Sequence, residues 1–192
     1  MVMEVNALPR ERATGVHAVD PDADLVAAAR AQPSEFLALY DRYFARVLGY
    51  VRVRIRDGTT CEDVTSHVFT TALAEIRRFR GDGPFAGWLF QIARNAVYDA
   101  QRQRAAEPRV IGRVASDPTP EERFLERERA EELRSLIRLL RPEQQHLLAL
   151  RYGAGLSYEE IGAVVDAAPA TVRVRMHRVL EELRRRYPHE AS

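Results

Sequence analysis

Apolar residues recur at three- and four-residue steps along most of this chain, and two stretches break the rhythm. Phe36, Tyr40, Tyr43, Val47, Tyr50 and Val51 share one helical face, with Ser34 placed to cap it and Gly58 to end it. Thr60 opens a second helix with Asp63 as a capping-box partner, and Val64, Val68, Phe69, Leu73, Ile76 and Phe79 line its buried side. The segment Arg80-Gly81-Asp82-Gly83-Pro84 reads as a turn, and Pro84 suits the first position of a helix running to about Arg104. That helix carries Phe85, Trp88, Leu89, Ile92, Ala96 and Val97 inward. Leu125, Leu133, Leu136, Ile137 and Leu140 form a narrow apolar stripe over 122–140. Pro142 then opens a short helix that Gly153 closes, Ser157 and Glu160 frame another, and a turn at Asp166–Ala168 leads to a last helix from Pro169 to about Tyr187. Two-residue alternation is missing, so no strand is expected. Residues 1–24 and 105–121 lack a period and hold prolines, which predicts a mobile N-terminal tail and a flexible linker. The expected fold is all-α, with two small helical domains over 25–104 and 122–189.

Composition narrows the function. Charged residues make up 30% of the 192 positions, yet the net charge is +1, so a nucleic-acid surface has to come from local clustering. Every one of the 29 basic residues is Arg, which favours bidentate contact with phosphate and guanine. Cys61 is the lone cysteine and the five histidines show no metal spacing, so no disulfide, metal or cofactor is expected. No apolar run approaches the roughly 20 residues of a membrane helix, and the N-terminus lacks a signal-peptide core. A cytoplasmic protein without membrane insertion is expected. Carboxylates alternate with Arg as on solvated helix faces, and no nucleophile motif or phosphate loop appears, which argues against an enzyme.

Two surfaces carry candidate chemistry. A capped short helix, a tight turn and an Arg-rich second helix suggest a helix-turn-helix. In its second helix, Val172, Met176, Val179, Leu180 and Leu183 should face the core. Thr171, Arg173, Val174, Arg175, His177 and Arg178 then form an outer face able to enter a major groove, while Arg184, Arg185 and Arg186 suit phosphates. Alone, such a helix reads as a solvated arginine face; the capped helix ahead of it turns the reading towards DNA. In the first domain, Gln91, Asn95, Asp99 and Arg102 form one polar stripe near Arg77, Arg78, Arg80 and Arg94. Basic surface beside aromatics suits single-stranded DNA, although Phe79, Phe85 and Trp88 fit better as core.

These motifs resemble the extracytoplasmic-function group of sigma-70-type factors. Glu62-Asp63-Val64-Thr65-Ser66-His67-Val68-Phe69 is similar to the family's E-D-V-x-Q-E-V-F helix. Phe85-Ala86-Gly87-Trp88-Leu89-Phe90-Gln91-Ile92-Ala93-Arg94-Asn95, followed by Asp99 and Arg102, resembles F-x-x-W-L-x-x-I-A-x-N with D and R downstream. Leu156-Ser157-Tyr158-Glu159-Glu160-Ile161-Gly162, then Thr171-Val172-Arg173-Val174-Arg175-Met176-His177-Arg178, is similar to the family's region 4 signature. The resemblance implies a first domain docked on the β′ clamp helices of the RNA polymerase core through Asp63, Val64 and Phe69, though Phe69 fits equally as core. It implies −10 DNA held as a melted strand, with a base flipped out, by Arg80, Asn95, Asp99 and Arg102. The second domain would read −35 promoter DNA and touch the β flap, and an anti-sigma factor becomes a candidate partner. Ser66, His67, Asp166 and Val174 depart from the usual Gln, Glu, Gly and Ser, so individual contacts and promoter preference do not carry over. A stand-alone helix-turn-helix regulator is the competing reading, but it leaves Asp63 to Arg102 unexplained. A few arginines on two tethered domains should bind promoters weakly without polymerase.

Overall fold

The computed structural model describes residues 20–55, 57–106 and 131–187, and every regular element among them is helical. Residues 1–19, the linker from 107 onward and the stretch 122–130, Leu125 included, lie outside the described residues, as do 188 and 189. The first domain holds α1 (Ala23–Ala31), α2 (Phe36–Arg54), α3 (Gly58–Glu75) and α4 (Phe85–Ala106). The second holds α5 (131–138), α6 (Pro142–Leu148), α7 (Tyr158–Val165) and α8 (Pro169–Arg186). α6 runs on into a wider π turn, Ala149–Gly153.

Asp20 and Asp22, read from the sequence as part of the tail, hold fixed places in the fold. The Asp20 carboxylate accepts the Phe85 backbone N–H at 2.8 Å, satisfying one of the donors that the start of α4 leaves open. Asp22 is fully buried, accepts the Tyr43 hydroxyl at 2.5 Å and lies 2.9 Å from Arg42 Nε. Burial, reinforced by the bond to Asp22, pushes the Tyr43 phenol well above its ordinary pKa, so it stays a donor. Two carboxylates, Asp20 and Asp22, thus fasten α1, α2 and α4 together.

Local differences from the expected pattern have physical causes. Asp57, not Thr60, caps α3, accepting the Thr60 N–H at 2.8 Å, and Gly58 begins that helix instead of ending α2. Ser34 accepts the Gln32 side-chain amide at 2.8 Å instead of capping α2. Leu73, expected inside, is 42% exposed because α2 and α4 cover the arc through Val64, Val68, Ala72 and Ile76. The Ser157–Glu160 capping box forms as read, with bonds of 3.1 and 2.7 Å. Asp166 ends α7 in the left-handed region at φ 51°, which short polar side chains tolerate better than bulky ones.

α8 starts at Pro169 behind Ala168, which offers no side-chain cap. Ala168 is exposed, so Ala168→Ser has room to accept an orphan N–H. It is expected to raise stability by about 1 kcal/mol, read as a higher urea midpoint with an unchanged slope.

The apolar pattern does not announce that the two halves pack on each other. α2 lies along the Ala149–Gly153 turn, and α4 lies against α7. Gly49 and Gly153 meet backbone to backbone: a Cβ on Gly49 would sit 2.1 Å from the Gly153 carbonyl oxygen. Tyr50, fully buried, shares a 2.8 Å hydrogen bond with His146 Nδ1, and Arg46 pairs with Glu160 at 2.9 Å. No helix among the described residues is long and apolar enough to cross a membrane.

Candidate nucleic-acid interface

α8 presents the face expected of it. Val172, Met176, Val179 and Leu183 are buried, while Thr171, Arg173, Val174, Arg175, His177 and Arg178 are exposed. Val174 is 51% exposed, an apolar side chain held outward among arginines. Arg173 lies over the Tyr158 ring at 5.3 Å and Arg151 does so at 4.9 Å, which ties α7 to α8 by cation–π contact. His177 pairs with Glu181 at 3.3 Å along the helix. Arg186, assigned to phosphates, instead bonds Glu182 at 2.6 Å and the Leu139 carbonyl at 3.4 Å.

The polar stripe of α4 is also exposed: Gln91, Asn95, Asp99 and Arg102 all face outward, and Asp99 and Arg102 are ion-paired. Arg80 is exposed in the turn before α4. Phe79 and Phe85 are buried, as expected of core residues; Trp88 is partly buried, packed at 5.1 Å on Phe79 and 5.6 Å on Phe85.

The three residues matched to polymerase docking divide. Asp63 is exposed, but Val64 and Phe69 are buried at 7% and 5%. Phe69 packs on Tyr40 with ring centroids 4.7 Å apart and helps hold α3 on α2. What the helix pair offers outward instead is apolar: Leu37 at 62% and Phe44 at 37% on α2, and Leu73 on α3 one turn beyond Phe69. Sequence reasoning missed Leu73 because a Leu on a helical repeat reads as core, and it assigned Leu37 and Phe44 to no face. Leu37 carries one clue, since it falls off the stripe through Phe36, Tyr40 and Tyr43.

The two candidate DNA faces are not independent in this arrangement. Gln91 and Arg94 of α4 and Arg175 and Arg178 of α8 line one cavity between the domains. The seam beside it carries two titratable side chains, Tyr50 and His146. Burial, with Arg94 and Arg54 adding to it, lowers His146 to about 3, while burial raises the Tyr50 phenol above its ordinary value. His146 is therefore neutral when the domains are closed and regains a pKa of about 6.5 when they part. Its contribution to closure is full above that value and is lost as pH falls towards 3. At pH 5.5 the closed-to-open ratio should drop by about tenfold relative to neutral pH. Energy transfer between dyes on α3 and α8 reads this, and His146→Gln should flatten the response.

Comparison with known proteins agrees with these two helical units. The sigma-70 region 2 family matches residues 39–107, and the sigma-70 region 4 family matches 130–183. The chain is 32% identical to the ECF RNA polymerase sigma factor BldN of Streptomyces coelicolor, over 84% of this chain and 65% of that one. It is also 32% identical to the ECF RNA polymerase sigma factor SigD of Mycobacterium tuberculosis, over 72% of this chain and 70% of that one. Its fold matches the sigma factor RpoE of Bartonella quintana, solved with the anti-sigma factor NepR, with a TM-score of 0.55, 20% identity and coverage of 79% of this chain and 95% of that one. With both family regions in order and a relative matched over most of its length, the chain belongs to the extracytoplasmic-function sigma factors of the sigma-70 family, which direct RNA polymerase to promoters.

Proposed function

We propose that this sigma factor acts in the cytoplasm as a two-handed promoter reader, region 2 spanning 25–104 and region 4 spanning 122–189, and that it reads DNA only after its domains part. In this reading Asn95, Asp99, Arg102 and Arg80 hold the melted −10 strand, where flipped bases meet a polar, basic stripe. Thr171, Arg173, Val174, Arg175, His177 and Arg178 read the −35 duplex: arginines reach guanine edges and Val174 meets a thymine methyl. The polymerase core is the surface that holds the two apart. Asp63 and the exposed apolar group Leu37, Phe44 and Leu73 form the face towards the β′ clamp helices; an apolar patch rimmed by charge is the usual form of a protein-docking site. Region 4 docks on the β flap. An anti-sigma factor is a further candidate partner, a role supported by the Bartonella neighbour's complex.

The observation that carries this reading is the shared cavity. Arg175 and Arg178, both exposed, share its lining with Gln91 and Arg94, so region 2 crowds the approach of a −35 duplex to that part of α8 while the domains are closed. Weak promoter binding by the free protein follows from occlusion as well as from the modest counterion release of a few arginines. Transcription by core polymerase with and without the protein tests the function. Defined starts that depend on the protein are expected. Starts that also need another sigma factor would favour the stand-alone regulator, and tight promoter-specific gel shifts without polymerase would contradict occlusion.

A further inference from the structure

Closure of the two domains gathers positive charge that the protein itself does not balance. The cavity between them measures about 700 Å³ and is lined by Arg94 from region 2 and by Arg141, Arg175 and Arg178 from region 4. Two carboxylates, Glu143 and Asp166, share the lining. Among the described residues, no ion pair is formed by Arg94, Arg175 or Arg178. Behind Arg94 stands a further cation. Arg54 and Arg94 lie over the same Tyr98 ring, at 5.1 and 5.5 Å, and Arg54 Nε and Nη1 are buried without a hydrogen-bond acceptor among the described residues. Arg94 is partly buried and Arg141, Arg175 and Arg178 are exposed, and with Glu143 and Asp166 counted the lining keeps an excess of two positive charges open to an anion.

The rest of the lining says what else that anion carries. Leu147, Val164 and Val179 supply an apolar wall to the same cavity. Its volume lies in the range of small-molecule sites, well beyond the needs of a single inorganic anion. We infer that the inter-domain cavity binds a phosphorylated small molecule of nucleoside diphosphate size, with phosphates on the arginines of both domains and the organic part on the apolar wall. Because Arg94 belongs to one domain and Arg141, Arg175 and Arg178 to the other, the ligand favours the closed form. It occupies two arginines assigned to −35 DNA, so ligand and promoter compete. The inference rests on the closed arrangement, not on promoter choice, and its test needs no polymerase.

Calorimetric titration of the full chain with ADP, pyrophosphate and sulfate at matched ionic strength provides the test. One ADP per chain is expected, tighter than pyrophosphate, which in turn is tighter than sulfate. Arg94→Gln and Arg141→Gln, one in each domain, should each weaken ADP by about tenfold, the scale of a lost charge-assisted hydrogen bond. ADP should also raise energy transfer between dyes on the two domains. Circular dichroism checks that each variant remains folded, and Arg94→Lys, which keeps the charge, should restore part of the affinity. ADP no tighter than sulfate overturns the site. ADP equal to pyrophosphate overturns the nucleoside assignment. Affinity unmoved in both Gln variants overturns the location. A protein that starts transcription yet binds no ADP loses this inference and keeps its function.

Discussion

Gly49→Ala should separate the two domains while leaving each of them folded. In a helix interior, alanine is favoured over glycine by about 1 kcal/mol, so α2 gains from the change when considered alone. At the seam the new Cβ meets the Gly153 carbonyl oxygen at 2.1 Å, and the obstacle is backbone, not a side chain that can turn away. Overpacking of this kind costs about 1–3 kcal/mol. The closed form should therefore lose a factor of about 5–150 against the open one. Scattering should report a larger radius of gyration, dye pairs should lose energy transfer, and thermal unfolding of region 2 should not fall. The loss extends to the Tyr50–His146 bond and the Arg46–Glu160 pair, which lie on the same seam. If closure occludes α8, the variant should also bind promoter DNA better than the parent without polymerase. An unchanged radius would mean that the seam yields locally and the domains stay closed.

Arg175→Ala is expected to lower initiation from a promoter with an intact −35 element by about 5–150-fold, the range for one bidentate guanine contact of about 1–3 kcal/mol. Arg175 is exposed on the outer face of α8, between the buried Val172 and Val179, so its removal opens no hole in the core. Stability should hold within about 0.5 kcal/mol, as for most surface substitutions. The signature is sequence dependence: the variant should relax discrimination at one base pair and leave a promoter without a −35 element unaffected. Arg184→Ala provides the contrast. It is exposed in the last turn of α8, and as a phosphate contact it should weaken all sequences alike and reduce the salt slope by about 1. Equal losses on every template for Arg175→Ala would move that residue to the phosphate group.

The sequence by itself determined what depends on short-range repeats. The 3.6-residue period marked α2, α3, α4 and α8, and it sorted Val172, Met176 and Val179 from Arg173, Arg175 and Arg178. Ser157 with Glu160 announced the start of α7 because a capping box closes within four residues. The outward stripe Gln91, Asn95, Asp99 and Arg102 was legible for the same reason. Tertiary structure decided whatever depends on which neighbour covers a face. Periodicity treats Phe69 and Leu73 alike, yet Tyr40 packs on one and the other stays 42% exposed, so the apolar side chains left outward are Leu37, Phe44 and Leu73. Asp20 and Asp22 read as tail because a carboxylate shows no sign in sequence of an N–H or hydroxyl waiting 21 or 65 residues away. The seam was the least legible feature of all. Tyr50 and His146 are 96 residues apart, and Gly49 looks like a weak point in a helix until Gly153 arrives against it. Local patterns record what each helix buries; which surfaces then meet is set by shape and charge matched across the fold, and that information is not stored at any one position.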